Sequence, residues 1–245
     1  MTDSDTAANQ ATPIRMAVAN NGSAALVGAV DFNASHFATQ SFDCVIAVDR
    51  GYASLESAGF TPDMVVGDFD SLGYVPTCEN VSLFPSEKDK SDMELAILAA
   101  EEAGCDNLVF YGALSGRLDH TLANIQLMIG CARRGITIVG VGDSFAVVAL
   151  DGKSCNTVFF DAFDPRPLDA GEYGRFISAF AFGRSATGVC ESGLKYTLNQ
   201  AIVPDDASLG LSNQFIGKPA RISVGQGNLI VMFPLGVWDS MHLGI

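Results

Sequence analysis

Between residues 14 and 142 the chain alternates short apolar runs with longer stretches of helical periodicity. The runs are "IRMAVAN" (14–20), "CVIAVD" (44–49), "MVVG" (64–67), "VSLFP" (81–85), "NLVFYGA" (107–113) and "ITIVGVG" (136–142). They are rich in Val and Ile and bounded by Gly, Asn, Asp or Pro, as strands buried on both faces are. Two helices stand out between them. "SDMELAILAAEEAG" (91–104) opens on Ser91, carries Glu94 three residues on and closes at Gly104, a capping box followed by a glycine stop. "DHTLANIQLMIGCARRG" (119–135) closes in the same way at Gly135. Strands alternating with helices predict a doubly wound, mainly parallel α/β sheet.

The pattern changes near residue 150. "NTVFFDAF", "RFISAFAFG", "ATGVCESG", "ARISVG" and "NLIVMFP" are short strand candidates separated by Gly, Asp, Asn and Pro, and "LKYTLNQAI" (194–202) reads as a short helix. They predict a small all-β sandwich, with 161–174 as a linker or hairpin loop. The expected organisation is a disordered tail over 1–12, an α/β domain over 13–150 and a β-sandwich over 151–245.

Composition narrows the function. With 14 basic and 28 acidic side chains the formal charge is −14, which disfavours nucleic acid as a partner. Acidity also disfavours free anionic substrates unless a cation reverses the local sign. The six cysteines form no CxxC pair, so buried free thiols are expected rather than zinc. The first residues lack the basic and apolar regions of a signal peptide, and no apolar stretch approaches the roughly 20 residues of a membrane helix. The expected location is the cytoplasm.

Three polar clusters follow predicted strands. In "MVVGDFDSL" Asp68 and Asp70 lie where a parallel sheet places its ligands. Two carboxylates about 4 Å apart repel by roughly 4 kcal/mol at an effective dielectric near 20. A hard divalent cation turns that cost into a gain; an Asp-rich turn is the simpler alternative. "SEKDKSDMELA" holds Lys88, Asp89, Lys90, Asp92 and Glu94. Its acids suit a first helical turn, whereas Lys88 and Lys90 are badly placed for the helix dipole, and a phosphate is one partner for them. In "YGALSGRLDHTLANI" (111–125), Gly112 and Gly116 precede Arg117, a planar fork for phosphate. Asp119 and His120 then open the helix, and a turn braced by an Arg117–Asp119 salt bridge is the plain alternative. No P-loop and no HExxH is present, "GVGDSF" (140–145) reads as a strand end and turn, and His36 and His242 suggest structural or surface roles.

Taken in order, "AVDRGYASLESAGFTPDMVVGDFDSL" (47–72), "EKDKSDMELAI" (87–97), "GALSGRLDHTLANI" (112–125), "GLKYTL" (193–198) and "LSNQFIGKPARISVGQGNLIVMF" (211–233) resemble the thiamine pyrophosphokinase family. The resemblance spans about residues 14–235. It implies transfer of a pyrophosphoryl group from ATP to the hydroxyl of thiamine with release of AMP. It also implies a homodimer with thiamine sites at the subunit interface. By the same resemblance Asp68, Asp70 and Asp92, with Asp89 a weaker candidate, serve Mg²⁺. Asn20, Asp49, Gly51, Ser71, Lys88 and Arg117 meet ATP. Asp119, His120, Ser212, Asn213 and Phe215 meet thiamine, and Asp68, Asp70, Asp92 and Asp119 carry the chemistry. Two positions depart from the family pattern: Ser115 stands for a glycine before Gly116-Arg117, and Arg50 for a small residue before Gly51. The alternatives are a haloacid-dehalogenase-like phosphatase, which also begins on Asp-x-Asp after a strand, and a catalytically inactive thiamine-binding sensor.

Overall fold

A computed structural model describes residues 22–67, 81–83 and 89–244. The strands are β1 (Gly22–Val27), β2 (Cys44–Val48), β3 (Met64–Gly67), β4 (Val81–Leu83), β5 (Cys105–Tyr111), β6 (Thr137–Val141) and β7 (Phe145–Asp151). They continue with β8 (Thr157–Phe160), β9 (Phe176–Ala181), β10 (Ala186–Ser192), β11 (Leu198–Val203), β12 (Asn213–Gln214), β13 (Ala220–Ser223), β14 (Asn228–Pro234) and β15 (Met241–Gly244). The helices are α1 (Ala34–Phe37), α2 (Gly51–Ser57), α3 (Asp92–Glu102) and α4 (Leu118–Arg133).

Ten strands form one mixed sheet in the order β12-β9-β14-β7-β6-β5-β1-β2-β3-β4. From β6 to β4 every pairing is parallel; from β6 to β12 every pairing is antiparallel. The apolar runs are apolar throughout because both faces are covered. On one face Leu26, Ile46, Val48, Leu108, Phe110 and Ile138 pack with Met93, Ala96 and Ile97 of α3 and Met128, Ile129 and Ala132 of α4. On the other, Val27, Ala47, Val65, Val109 and Tyr111 pack with Phe37 of α1 and Tyr52 and Leu55 of α2.

That second face continues over β7, β9 and β14 and is covered there by a five-stranded sheet, β11-β10-β13-β8-β15. Val158, Phe160, Val189, Ile222 and Leu243 from the small sheet meet Val148, Leu150, Ile177, Ala179, Leu229, Val231 and Phe233 from the large one. One layer of the sandwich is therefore the end of the α/β sheet itself. The division expected near residue 150 falls at the end of β7, yet the ladder does not break there. β14 pairs with β7 from Asn228↔Asp151 to Pro234↔Phe145.

Several local expectations are corrected or extended. "LKYTLNQAI" is not a helix: Leu198–Val203 is β11, which pairs with β10 through an irregular register. Leu198, Ala201 and Val203 oppose Glu191, Val189 and Ala186, and that cross-strand pairing prevails over a weak helical spacing. The run "IRMAVAN" lies outside the described residues, and the first described strand is the neighbouring "GSAALV". Helix α3 starts as expected, with Ser91 Oγ accepting from the Glu94 N–H at 3.2 Å. The five described cysteines, Cys44, Cys105, Cys131, Cys155 and Cys190, are free thiols.

Candidate active site

In the parallel part of the sheet, β1 leads outward through β2 in one direction and β5 leads through β6 in the other. Strand order reverses between β1 and β5, and an open sheet parts its loops at such a point. The chain ends there are held closely. The Gly28 N–H donates to Tyr111 O at 2.8 Å and the Val30 N–H to Gly112 O at 3.1 Å, so the two loops stay paired just past their strands. Glycine is required: a Cβ on Gly112, whose φ is +61°, would sit 2.4 Å from Gly28 O. At the start of α2 a Cβ on Gly51 would lie 1.8 Å from Val27 O, so only glycine lets that helix begin against the end of β1.

Above these crossings lies a cleft of about 780 Å³. The loops after β1 (Gly28, Val30), β2 (Asp49, Arg50) and β5 (Gly112, Ser115) line it, with the starts of α3 (Ser91, Asp92) and α4 (Arg117, Asp119, His120). Asp49 has φ +50°. Asn124, one turn into α4, donates from Nδ2 to Ala113 O at 2.7 Å and ties the helix to the β5 loop. Sequence reasoning passed over Asn124; its signal was an amide among the apolar positions of α4.

Arg117 and Asp119 meet as a bidentate pair, Nε to Oδ1 at 3.1 Å and a terminal nitrogen to Oδ2 at 2.6 Å. The brace considered from the sequence is thus present. Arg117's hydrogen bond holds the Asp119 carboxyl down at about 2, and the His120 N–H also donates to it at 3.0 Å. The two side chains are 73% and 65% exposed, so the pair stands open to solvent and to any ligand entering the cleft. Lys90, which needs a partner other than the helix dipole, lines the cleft and has its Nζ 2.6 Å from Glu94 Oε1, four residues on. Ser115 directs its hydroxyl at Val30 O, 3.4 Å away, and Arg50 precedes α2 without a side-chain cap bond.

Of the expected site residues, Asp49, Asp92, Arg117, Asp119 and His120 line this one cleft, and Gly51 follows the lining residue Arg50, packed against the end of β1. Asp89 is exposed just before α3 and does not line it. Asn20, Asp68, Asp70, Ser71 and Lys88 lie outside the described residues. Ser212, Asn213 and Phe215 stand elsewhere, where β12 meets the small sheet. Phe215 is fully buried and makes T-shaped contacts with Phe160 and Phe163, with ring centroids 5.0 and 5.1 Å away. The histidines outside the cleft have partners. His36 Nδ1 lies 3.0 Å from the Tyr111 hydroxyl with its ring edge-on to Trp238, and His242 pairs with Asp161 at 2.8 Å.

Among the described residues no three His, Cys, Asp or Glu side chains converge as a metal site. The cleft does offer carboxylate oxygens from Asp49 and Asp92, the hard donors Mg²⁺ takes. No described helix is long and apolar enough to cross a membrane.

A cleft of mixed charge at the reversal point of an α/β sheet, joined to a β-sandwich, defines the class: an α/β protein built to hold a small polar ligand above its strand ends. The family follows from comparison. Residues 36–140 match the family model "Thiamin pyrophosphokinase, catalytic domain", and residues 166–229 match "Thiamin pyrophosphokinase, vitamin B1 binding domain". The chain belongs to the thiamine pyrophosphokinase family. It is 29% identical over 195 residues to the thiamine pyrophosphokinase of Bacillus subtilis (strain 168), covering 76% of this chain and 85% of that one. The solved thiamin pyrophosphokinase of Geobacillus thermodenitrificans superposes with a TM-score of 0.69 at 26% identity, over 86% of this chain and 97% of that one. The solved Bacillus subtilis structure superposes with a TM-score of 0.73 at 24% identity, over 86% and 98%, a likeness in fold.

Proposed function

We propose that this chain is an ATP-dependent thiamine pyrophosphokinase whose reaction takes place in the cleft between β1 and β5. One observation carries the reading: a single cleft gathers Asp49 from the β2 loop, Asp92 from α3, and Arg117, Asp119 and His120 from α4. These come from three of the segments that resemble the family. The two-part match leaves the phosphatase and sensor alternatives without support.

In the reaction the thiamine hydroxyl oxygen bonds to the β-phosphorus of ATP. The bond from that phosphorus to the α–β bridging oxygen breaks, AMP leaves with the electron pair, and the hydroxyl proton is lost. Such transfers depend mainly on positioning and charge neutralisation. Arg117 meets the phosphate oxygens, with Lys88, Asn20, Gly51 and Ser71 completing the nucleotide contacts. Asp92 and Asp49, together with Asp68 and Asp70, would hold Mg²⁺, which when bound would offset the charge of the triphosphate that an acidic chain cannot otherwise bear. Asp119 faces thiamine, whose thiazolium cation suits a carboxylate. The α/β sheet is doubly wound, and the sandwich end supplies Ser212 to thiamine.

Thiamine reaches both regions in a cytoplasmic homodimer in which a second copy brings its sandwich edge to the cleft. Support comes from apolar side chains that stay exposed around Ser212: Phe176, Tyr196, Leu211 and Ile216. The strong negative charge keeps nucleic acid away. Incubation with ATP, Mg²⁺ and thiamine is expected to yield AMP and thiamine pyrophosphate in equal amounts. Release of inorganic phosphate alone, or no turnover, overturns the reading. Asp70→Asn is expected to abolish turnover while circular dichroism stays unchanged.

A further inference from the structure

Strand β10 alternates inward and outward, and Val189 and Glu191 share its inward face. Glu191 is thus a carboxylate where the pattern calls for an apolar side chain, and it is 2% exposed. Buried carboxylates need partners. Glu191 Oε2 accepts from Asn213 Nδ2 at 2.6 Å, while no described donor reaches Oε1. Burial raises the Glu191 carboxyl above its ordinary range, and the Asn213 bond only partly opposes that.

Asn213 is itself saturated. It is 3% exposed. Its Nδ2 also donates to Tyr196 O at 2.8 Å, and its Oδ1 accepts from the N–H groups of Tyr196 and Gln214, each at 2.9 Å. Nothing of this side chain is left for a ligand, although the family resemblance placed it among thiamine contacts. What it does is join two sheets: Asn213 lies on β12 of the large sheet and Glu191 on β10 of the small one. The same junction carries the Lys195 N–H to Gln214 O at 3.0 Å and the Leu194↔Phe215 bridge.

Two exposed groups lie beside it. Ser212 has φ +58° and is held by its N–H donating to Ser178 Oγ at 2.9 Å. Tyr196, 60% exposed, is fixed through its own backbone N–H and C=O by Asn213 alone among the described side chains. We infer that Glu191 is a positioning residue for thiamine, acting through Asn213 to set the Ser212 and Tyr196 rim. The inference rests on the thiamine reading of that rim. It makes Asn213 a brace and Tyr196 a further candidate contact, an aromatic side chain available where Phe215 is not.

The test uses the full chain with Glu191→Leu, Glu191→Gln, Asn213→Ala and the double variant Glu191→Leu/Asn213→Ala. Steady-state KM for thiamine and for ATP, and thiamine calorimetry, are the readouts. Loss of one buried hydrogen-bond partner predicts that Glu191→Leu raises KM for thiamine by about tenfold, with KM for ATP nearly unchanged. Glu191→Gln retains an acceptor for Asn213 and restores most of the thiamine affinity. The double variant is no worse than the more severe single one, because both remove the same clasp. If Glu191→Leu does not fold, Asn213→Ala, which removes the donated hydrogens without adding a charge, is read in its place and is expected to give the same thiamine-selective loss. Parallel rises in both KM values, unchanged thiamine affinity, or additive losses in the double variant overturn the proposal. Failure of the unaltered protein to bind thiamine is a different result, which removes the thiamine reading as well.

Discussion

Arg117 meets Asp119 at 2.6 Å, and Asn213 meets Glu191 at 2.6 Å. The first contact stands in open solvent at the mouth of the cleft; the second is sealed between two sheets. Distance alone makes them equals, but the surroundings reverse their meaning. An exposed ion pair has water as a ready substitute and contributes about 0–1 kcal/mol. Either partner can be given up to a ligand. A buried polar contact has no substitute, so breaking one side costs the desolvation of the other. The chain thus keeps its charged recognition groups replaceable and its bracing groups irreplaceable.

The contrast can be strained hardest just behind the cleft, where Gly51 follows the lining residue Arg50 but is packed like the core. Gly51→Ala forces a Cβ to within 1.8 Å of Val27 O. The expected result is loss of folded protein, or of more than about 4 kcal/mol, measured by chemical denaturation. A stable, active Gly51→Ala variant would show that the β1–α2 contact yields easily and would blur the distinction. Next comes Phe215, fully buried beside Phe160 and Phe163. Phe215→Ala is expected to lose about 3 kcal/mol or more. Ser212→Ala, three residues earlier and exposed, should change stability by less than about 0.5 kcal/mol.

A titration sharpens the buried side. Burial lowers His36 from 6.5 to about 4, against the opposing charge of Asp239, while Tyr111 and Trp238 pack on its ring. The folded protein holds it neutral, whereas the unfolded chain binds a proton below about 6.5. Stability should therefore fall as pH drops from 6.5 to about 4 and level off below that, a loss of about 3 kcal/mol from this group. Melting curves across that window should show a shallower slope in His36→Gln. Arg117→Ala is expected to leave stability essentially unchanged, because the pair is open to solvent. It should nonetheless weaken binding of a non-hydrolysable ATP analogue by roughly tenfold or more. It should also let the Asp119 carboxyl rise from about 2 toward its ordinary range, visible by NMR titration.

Much of this was legible in the sequence where chemistry and periodicity agree. Apolar runs ending at Gly or Asp marked β2, β3, β5 and β6, and Ser91 with Glu94 marked the start of α3. Spacing alone could not show that Lys90 has Glu94 beside it, because sequence gives candidates for a partner and geometry chooses among them. Nor could it show that Phe215 points inward. "NQF" runs on from an edge strand, and the side of the sheet a residue faces depends on register with β9, fixed by contacts far away in the chain. The division expected near residue 150 rests on a change in composition, and the β7–β14 ladder runs across it. Composition reports which layer a segment joins, not whether the hydrogen-bonded ladder stops.

Strand β14 lies between β7 and β9 although 76 residues of chain separate it from the end of β7. On the ribosome, an emerging chain therefore cannot finish its first half and then add a second. Until residues 228–234 emerge, β7 presents an open edge of backbone donors and acceptors with Ala146, Val148 and Leu150 on one face. Such edges invite pairing with other chains. For this protein the large sheet closes only once residues 228–234 have been made, and that open edge needs shielding until then.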